Sequence, residues 1–184
     1  MQPPKIVRQE LLYEGYLNLK RITLEKPTKE TLGYTYFSLP TDAVFTIGLN
    51  QEGKFLLVRE YRYPLENYIL SCSGGKLEMG EDPLSAAKRE LFEETGYSAD
   101  EFLLLGKCHP VPALSDQKVY FALAKNVRLT STPTPDPFEI IRPEFMTEQA
   151  IYEEIKRGEN VDGHLLTALS FLRMSCPQIS KTTE

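Results

Sequence analysis

The stretch GKLEMGEDPLSAAKRELFEETGY, from Gly75 to Tyr97, places a glycine loop, an isolated Glu81 and the cluster Arg89-Glu90-Leu91-Phe92-Glu93-Glu94 within 23 residues. Asp82 is suited to cap a helix whose first turn holds Pro83, where a missing N–H costs nothing, and Gly96 is suited to end it in a left-handed conformation. At about 100° per residue, Leu84, Ala87 and Leu91 line one apolar face, while Glu90 and Glu94, four apart, point together along its border. Three acids in five residues repel one another and weaken an isolated helix. A divalent cation reverses that penalty, because Mg2+ or Mn2+ prefers hard oxygen ligands, and Mg2+ is commonly shared between carboxylates and phosphates. The competing reading is a solvated acidic face with Glu81, Glu93 and Arg89 in ordinary surface pairs.

Outward from this helix the chain alternates strand and helix signals. Tyr16–Lys20 alternates polar and apolar residues and Tyr34–Phe37 is rich in strand formers, so the first 40 residues are expected to form antiparallel strands. Ala43–Leu49 and Lys54–Val58, joined by Asn50-Gln51-Glu52-Gly53, read as a core hairpin. Further strands are expected near Tyr68–Ser73, Glu101–His109 and Lys118–Ala124, with a short last one at Phe138–Ile141 after a proline-rich loop. A helix over Thr147–Arg157 ends at Gly158, and Asp162 caps another carrying Leu165, Leu166, Leu169 and Leu172 at helical spacing. Helices covering both sides of a mixed sheet satisfy this pattern, an α/β class. The expected division is a strand region over 1–40, one domain over 41–176 and a frayed tail over 177–184.

Net charge is −5, which argues against a long duplex-binding surface and so against a nucleic-acid partner. Cys72, Cys108 and Cys176 are widely separated, with no metal-ligand spacing, and read as reduced thiols. With no leader pattern and no apolar run near 18 residues, the expectation is a cytoplasmic protein with no membrane partner.

The run of G, five residues, E, seven residues, R-E, an apolar residue, any residue, E-E, any residue and G resembles the signature of the Nudix family, metal-dependent hydrolases that cut a diphosphate linked to a further group. Gly75, Glu81, Arg89, Glu90, Leu91, Glu93, Glu94 and Gly96 fall on that pattern, and Tyr97 stands where an aliphatic residue is commoner. The resemblance implies a Nudix-type α/β/α sandwich, with Glu90 and Glu94 as ligands of Mg2+ or Mn2+. It further implies Glu93 as ligand of another ion, Glu81 as electrostatic support or ligand, Arg89 as the brace of the acids, and the Gly74 carbonyl as a further donor.

Val58-Arg59-Glu60-Tyr61-Arg62-Tyr63-Pro64 resembles the segment before the box in ADP-ribose and nucleoside-diphosphate-sugar pyrophosphatases, where an arginine matching Arg62 contacts phosphate; Arg59 is a second candidate. Pro112, sixteen residues after Gly96, resembles the proline that marks the ADP-ribose subfamily, and Ser115 and Asp116 resemble its post-box loop. One departure is Ser71, where those relatives carry a glutamate. For the water-activating base the candidates are Glu139, Asp136 and Glu93, Glu139 also being placed to pair with Arg142. Tyr34, Tyr36 and Phe37 are candidates for stacking on the base, or for core or interface aromatics. The resemblance implies a homodimer with exchanged N-terminal strands and Mg2+-dependent cleavage of ADP-ribose or a related nucleoside-diphosphate sugar. GDP-mannose, a dinucleoside polyphosphate or a damaged nucleotide are alternative substrates, and an ADP-ribose sensor without turnover is the alternative from another class.

Overall fold

The computed structural model of the chain describes residues 2–158, 160–177 and 179. It divides into two compact units, one made of residues 1–42 and 109–118, the other of 43–108 and 119–184. In the first, β1 (Lys5–Tyr13), β2 (Asn18–Glu25) and β3 (Thr31–Ser38) form an antiparallel sheet in that order. The expected strand at 34–37 is longer, the one expected at 16–20 instead starts at Asn18 and runs on to Glu25, and β1 joins them. Register shifts between Ile6 and Arg8 and between Leu11 and Tyr13 break the two-residue alternation of β1, which hid it from a pattern reading.

The second unit runs β4 (Ala43–Leu49), β5 (Phe55–Arg62), a 3-10 turn at Tyr63–Leu65, β6 (Asn67–Ser71), β7 (Ser73–Lys76), α1 (Pro83–Thr95), β8 (Tyr97–Ser98), β9 (Glu101–Cys108), β10 (Val119–Lys125), β11 (Arg128–Leu129), β12 (Ile141–Met146), α2 (Glu148–Arg157) and α3 (Gly163–Ser175). Its main sheet has the order β12-β5-β4-β10-β9, with β6 on β5 and β7 on β4; β8 and β11 pair separately. Strand β4 is parallel to β10, and the other pairings are antiparallel, so the sheet is mixed.

Alternation along the strands sorts the core into two layers. Val44, Leu56, Ala122 and Ala124 face α1, meeting Ala86, Ala87 and Leu91. Phe45, Ile47, Phe55, Leu57, Phe121 and Leu123 face the opposite side, against Ile151 of α2 and Leu165, Ala168, Leu169 and Leu172 of α3. The result is the expected α/β/α sandwich. Among the described residues no helix is long and apolar enough to cross a membrane.

All three helices have side-chain N-caps. Asp82 Oδ2 accepts the Leu84 and Ser85 N–H groups at 3.0 and 3.2 Å, Thr147 Oγ1 accepts that of Ala150 at 3.2 Å, and Asp162 Oδ1 accepts that of His164 at 2.8 Å. Gly96, at φ 73°, closes α1 with its N–H on the Phe92 carbonyl at 2.8 Å.

Two strand expectations need correction. The run at 68–73 is two strands, because β6 pairs with β5 and the chain then crosses through Cys72 to pair β7 with β4. The last strand is Ile141–Met146 rather than Phe138–Ile141. Pro143 argues against a strand there, but β12 pairs only with β5 in this sheet, and an edge strand tolerates proline. Of the expected tail, only Pro177 and Ile179 fall within the described residues.

Candidate active site

The carboxylates of α1 meet the glycines of β7. Glu94, only 4% exposed, accepts the Gly74 N–H on Oε2 at 2.9 Å. Burial pushes its pKa well above the ordinary carboxylate value; the charges of Glu90 and Glu60 add to the rise, and the Ser73 side chain and the Gly74 N–H oppose it. Glu90 is raised by the same desolvation, with Arg89 opposing and the charges of Glu93 and Glu139 reinforcing. The absence of side chains on β7 makes this approach possible. A Cβ on Gly74 would lie 2.1 Å from the Val44 carbonyl oxygen, and one on Gly75 would lie 2.6 Å from Glu90 Oε1.

Arg89 ties the acids together. Its Nε and Nη2 donate to the two Glu81 oxygens at 3.0 and 2.9 Å, a two-pronged pairing, and Nη1 donates to Glu90 Oε1 at 2.8 Å and Glu93 Oε2 at 3.2 Å. Nη2 also donates to the Lys76 carbonyl at 3.1 Å, anchoring the guanidinium to β7. The Glu81 contact holds Glu81 below the usual carboxylate range and raises Arg89. Glu81 in turn accepts the Glu78 N–H at 2.8 Å, fixing the loop before α1.

The loop before β12 holds the other base candidates. Glu139 Oε2 accepts the Asp136 N–H at 3.1 Å, and the Glu139 N–H donates to the Asp136 carbonyl at 2.9 Å. The Glu139 charge contributes to the raised pKa of Glu60 on β5 and of Glu90 on α1.

The two arginines of β5 part company. Arg62 pairs with Glu60, and its Nη2 lies 3.8 Å from Asp162 Oδ2. Arg59, an odd-numbered neighbour on the other face of the strand, pairs with Glu144 at 2.8 Å and with Glu154 of α2 at 3.5 Å. It is engaged there rather than among the acids of α1. Pro112, Ser115, Asp116 and Tyr36 belong to the first unit, where Ser38 donates to Asp116 Oδ2 at 3.1 Å, Ser115 Oγ accepts the Gln117 N–H at 3.1 Å, and the Phe37 N–H donates to the Leu114 carbonyl at 2.9 Å. Tyr34 donates its hydroxyl to the Ala113 carbonyl.

Glu60 and Asp162 were not singled out as site residues by the sequence. Glu60 is 9% exposed and raised by burial, against the pull of Arg62. The signal for it was an acid two residues before Arg62, on the same strand face as buried Val58. The sequence marks Asp162 only as a helix cap. It also accepts from Ser71 Oγ at 3.1 Å and contacts His164 Nδ1 at 2.8 Å. Burial works against its charge, yet the hydrogen bonds from His164 and Ser71 prevail and lower its pKa to about 2.

Among the described residues no three or more His, Cys, Asp or Glu side chains are already gathered into a cation cage. The donor chemistry nevertheless fits a hard divalent cation: Glu90 and Glu94 are desolvated carboxylates one turn apart on a single helix, and the charge of Glu90 adds to the rise at Glu94.

A family model described as NUDIX domain matches residues 39–169. The methanol dehydrogenase activator of Bacillus methanolicus is 29% identical over 172 residues, covering 92% of this chain and 92% of that one. The ADP-ribose pyrophosphatase of Bacillus subtilis (strain 168) is 30% identical over 133 residues, 72% of each chain. A solved structure of an ADP compounds hydrolase shares the fold with a TM-score of 0.84 at 23% identity, covering 95% of this chain and 94% of that one. The match spans most of the chain and includes the helix that carries the acids, and the chain therefore belongs to the Nudix family.

Proposed function

We propose that the protein hydrolyses the diphosphate of ADP-ribose or a related nucleoside-diphosphate sugar, giving a nucleoside monophosphate and a sugar phosphate. The observation that carries this reading is the desolvated pair Glu90 and Glu94, held against the glycines of β7 and braced by Arg89. The name of the Bacillus subtilis relative supports the substrate. Glu90 and Glu94 would hold Mg2+ or Mn2+, with the Gly74 carbonyl, Glu81 and Glu93 as further donors, and the ion would supply charge neutralisation and lower the pKa of bound water.

The chain's own groups do the rest. In hydrolysis a water oxygen bonds to one phosphorus as a bridging P–O bond breaks, the bridging oxygen leaves on the other phosphate, and a water proton must be taken up. Glu139 is the carboxylate for that proton: its charge is felt at Glu60 and Glu90, whereas Glu93 is engaged with Arg89 and Asp136 shapes the Glu139 loop. Arg62 presents a two-pronged donor to the diphosphate, exchanging its Glu60 partner for phosphate oxygens. Arg89 holds Glu90 in line.

The same reading carries a homodimer, supported by exposed Ile6, Leu11 and Leu32 on the three-stranded sheet, and a cytoplasmic location, where three free cysteines stay reduced. The test is incubation with Mg2+ and ADP-ribose, GDP-mannose or a dinucleoside polyphosphate, resolving products against a Glu94→Gln control. AMP and ribose 5-phosphate from ADP-ribose, absent in the control, are expected. Cleavage of another substrate alone overturns the substrate, and tight binding without turnover overturns the enzyme in favour of a sensor.

A further inference from the structure

Glu139 sits in the loop between β11 and β12, and its carboxylate is tied to that loop: Oε2 accepts the Asp136 N–H at 3.1 Å, and the Glu139 N–H returns to the Asp136 carbonyl at 2.9 Å. Where the loop goes, the carboxylate goes. Apolar packing does not anchor this stretch, because Phe138 is 82% exposed and Ile140 is exposed as well. Hydrogen bonds anchor it. Near its start the Thr134 N–H donates to the Glu93 carbonyl of α1 at 2.7 Å. At its end two residues of one chain segment bracket Glu139: the Tyr61 N–H donates to the Ile140 carbonyl at 2.9 Å, and the Tyr63 hydroxyl donates to the Phe138 carbonyl at 2.9 Å.

We propose that Tyr63 is a positioning residue for Glu139, its hydroxyl latching the loop where the carboxylate can take the proton from water; the inference rests on Glu139 as the proton acceptor of the function proposed above. Of the two bonds that bracket Glu139, the one from Tyr63 comes from a side chain, so the residue type at 63 decides whether it exists. The hydroxyl is aimed by its surroundings. Pro64 and the Glu66 N–H, which closes the 3-10 turn on the Tyr63 carbonyl at 3.2 Å, fix the backbone. The ring stands edge-on to Tyr61 with centroids 5.4 Å apart at 85°, and Tyr61 meets Tyr68 in the same way at 5.4 Å and 71°. The plain alternative is a surface tyrosine whose bond is incidental. At 56% exposure, however, Tyr63 gains little from apolar burial, and its hydroxyl accounts for the residue better than its area does. Because Arg62 directly precedes it, the same stretch of chain sets the proposed phosphate donor and the proposed proton acceptor relative to each other, a spacing on which attack by water depends.

Tyr63→Phe keeps the ring and its edge contacts and removes the donor alone. With wild-type melting behaviour, this variant is expected to lower kcat on ADP-ribose roughly fivefold, one hydrogen bond's worth, with KM held within a factor of about two. A double-mutant cycle separates positioning from general damage: in Glu139→Gln, where no base is left to place, Tyr63→Phe is expected to have no further effect. Wild-type kcat in Tyr63→Phe, a rise in KM in place of the fall in kcat, or the same fold loss in both backgrounds overturns the proposal. Wild-type kcat in Glu139→Gln overturns it too, by removing the base itself. If the wild-type protein cleaves no diphosphate substrate, the proposed function fails on its own, and amide hydrogen exchange still decides the latch. Faster exchange at Tyr61 and Glu139 in Tyr63→Phe, with β4 and β10 unchanged, supports it. Unchanged exchange at both amides, or faster exchange throughout the sheet, overturns it.

Discussion

Gly75→Ala isolates the position of Glu90 from the stability of the fold. The added carbon would find Glu90 Oε1 at 2.6 Å and both Cδ and Oε2 at 2.8 Å, so the whole carboxyl group is in its way and rotation about the last bond does not relieve the contact. Ordinary van der Waals contact begins at 3.4 Å, so the carboxyl group must retreat by about 0.8 Å. That displacement breaks the 2.8 Å hydrogen bond from Arg89 and moves a proposed metal ligand. Misplacement of a catalytic group by about 1 Å costs on the order of a hundredfold in rate, so kcat on ADP-ribose is expected to fall by roughly that factor with a small change in KM. The melting temperature is expected to move little, because the obstacle is the end of a side chain. Gly74→Ala is the contrasting control: its Cβ would lie 2.1 Å from the Val44 carbonyl oxygen, which is backbone in the sheet core, and the fold itself is expected to fail. Steady-state kinetics and thermal melting of the two variants decide the matter. Wild-type kcat in Gly75→Ala, or equal destabilisation by both substitutions, refutes the reasoning.

Two further outcomes follow from the charges. The folded pKa of Glu94 lies above its unfolded value, about 4.3, so the folded state holds its proton more firmly; stability from this group is complete below the unfolded pKa and declines as pH rises through the folded one. In chelator, Glu94→Gln is therefore expected to flatten the fall in stability from the weakly acidic range towards neutrality, as followed by urea denaturation, and identical slopes in variant and wild type would count against the desolvation argument. Arg62→Lys keeps the charge but loses the planar fork, and a rise in KM for ADP-ribose of roughly tenfold is expected, with Arg62→Ala rising further; an unchanged KM in both variants would remove Arg62 from the substrate site.

The helix that carries the acids was legible because each of its signals is local. Asp82, Pro83 and Gly96 act within a turn of themselves, and the spacing of Ala87, Leu91 and Glu94 is a property of the helix alone. The sandwich was legible for a similar reason, since alternation in β4, β5 and β10 supplies two opposite apolar faces. What escaped depended on partners distant in sequence. The split of the 68–73 run follows from β4 offering its first residues to β7 and its last two to β5, which no pattern within residues 68–73 records. The separation of Arg59 from Arg62 was implicit in strand alternation, but Glu144 and Glu154, which complete the Arg59 pairing, lie on β12 and α2. Asp162 announced itself as a cap, and its second task, with Ser71, spans 91 residues.

The acids of α1 stay where they are because apolar packing holds the helix, not because they attract one another. Glu90, Glu93 and Glu94 repel, and burial of Glu94 opposes its charged form. Against this, Leu91, fully buried between them in sequence, contributes about 1.5–3 kcal/mol, and the Asp82 cap adds roughly 1 kcal/mol. Arg89 offsets part of the remaining repulsion, yet its shortest reach is to Glu90 and its two-pronged pairing goes to Glu81, outside the helix, leaving Glu94 with the Ser73 side chain and the Gly74 N–H as counterweights. Glu94 is thus the most buried of these acids, and burial is the largest influence on its charge. A cation arriving at the site would gain most there, which is why the same residue is expected to cost stability without metal and to be indispensable with it.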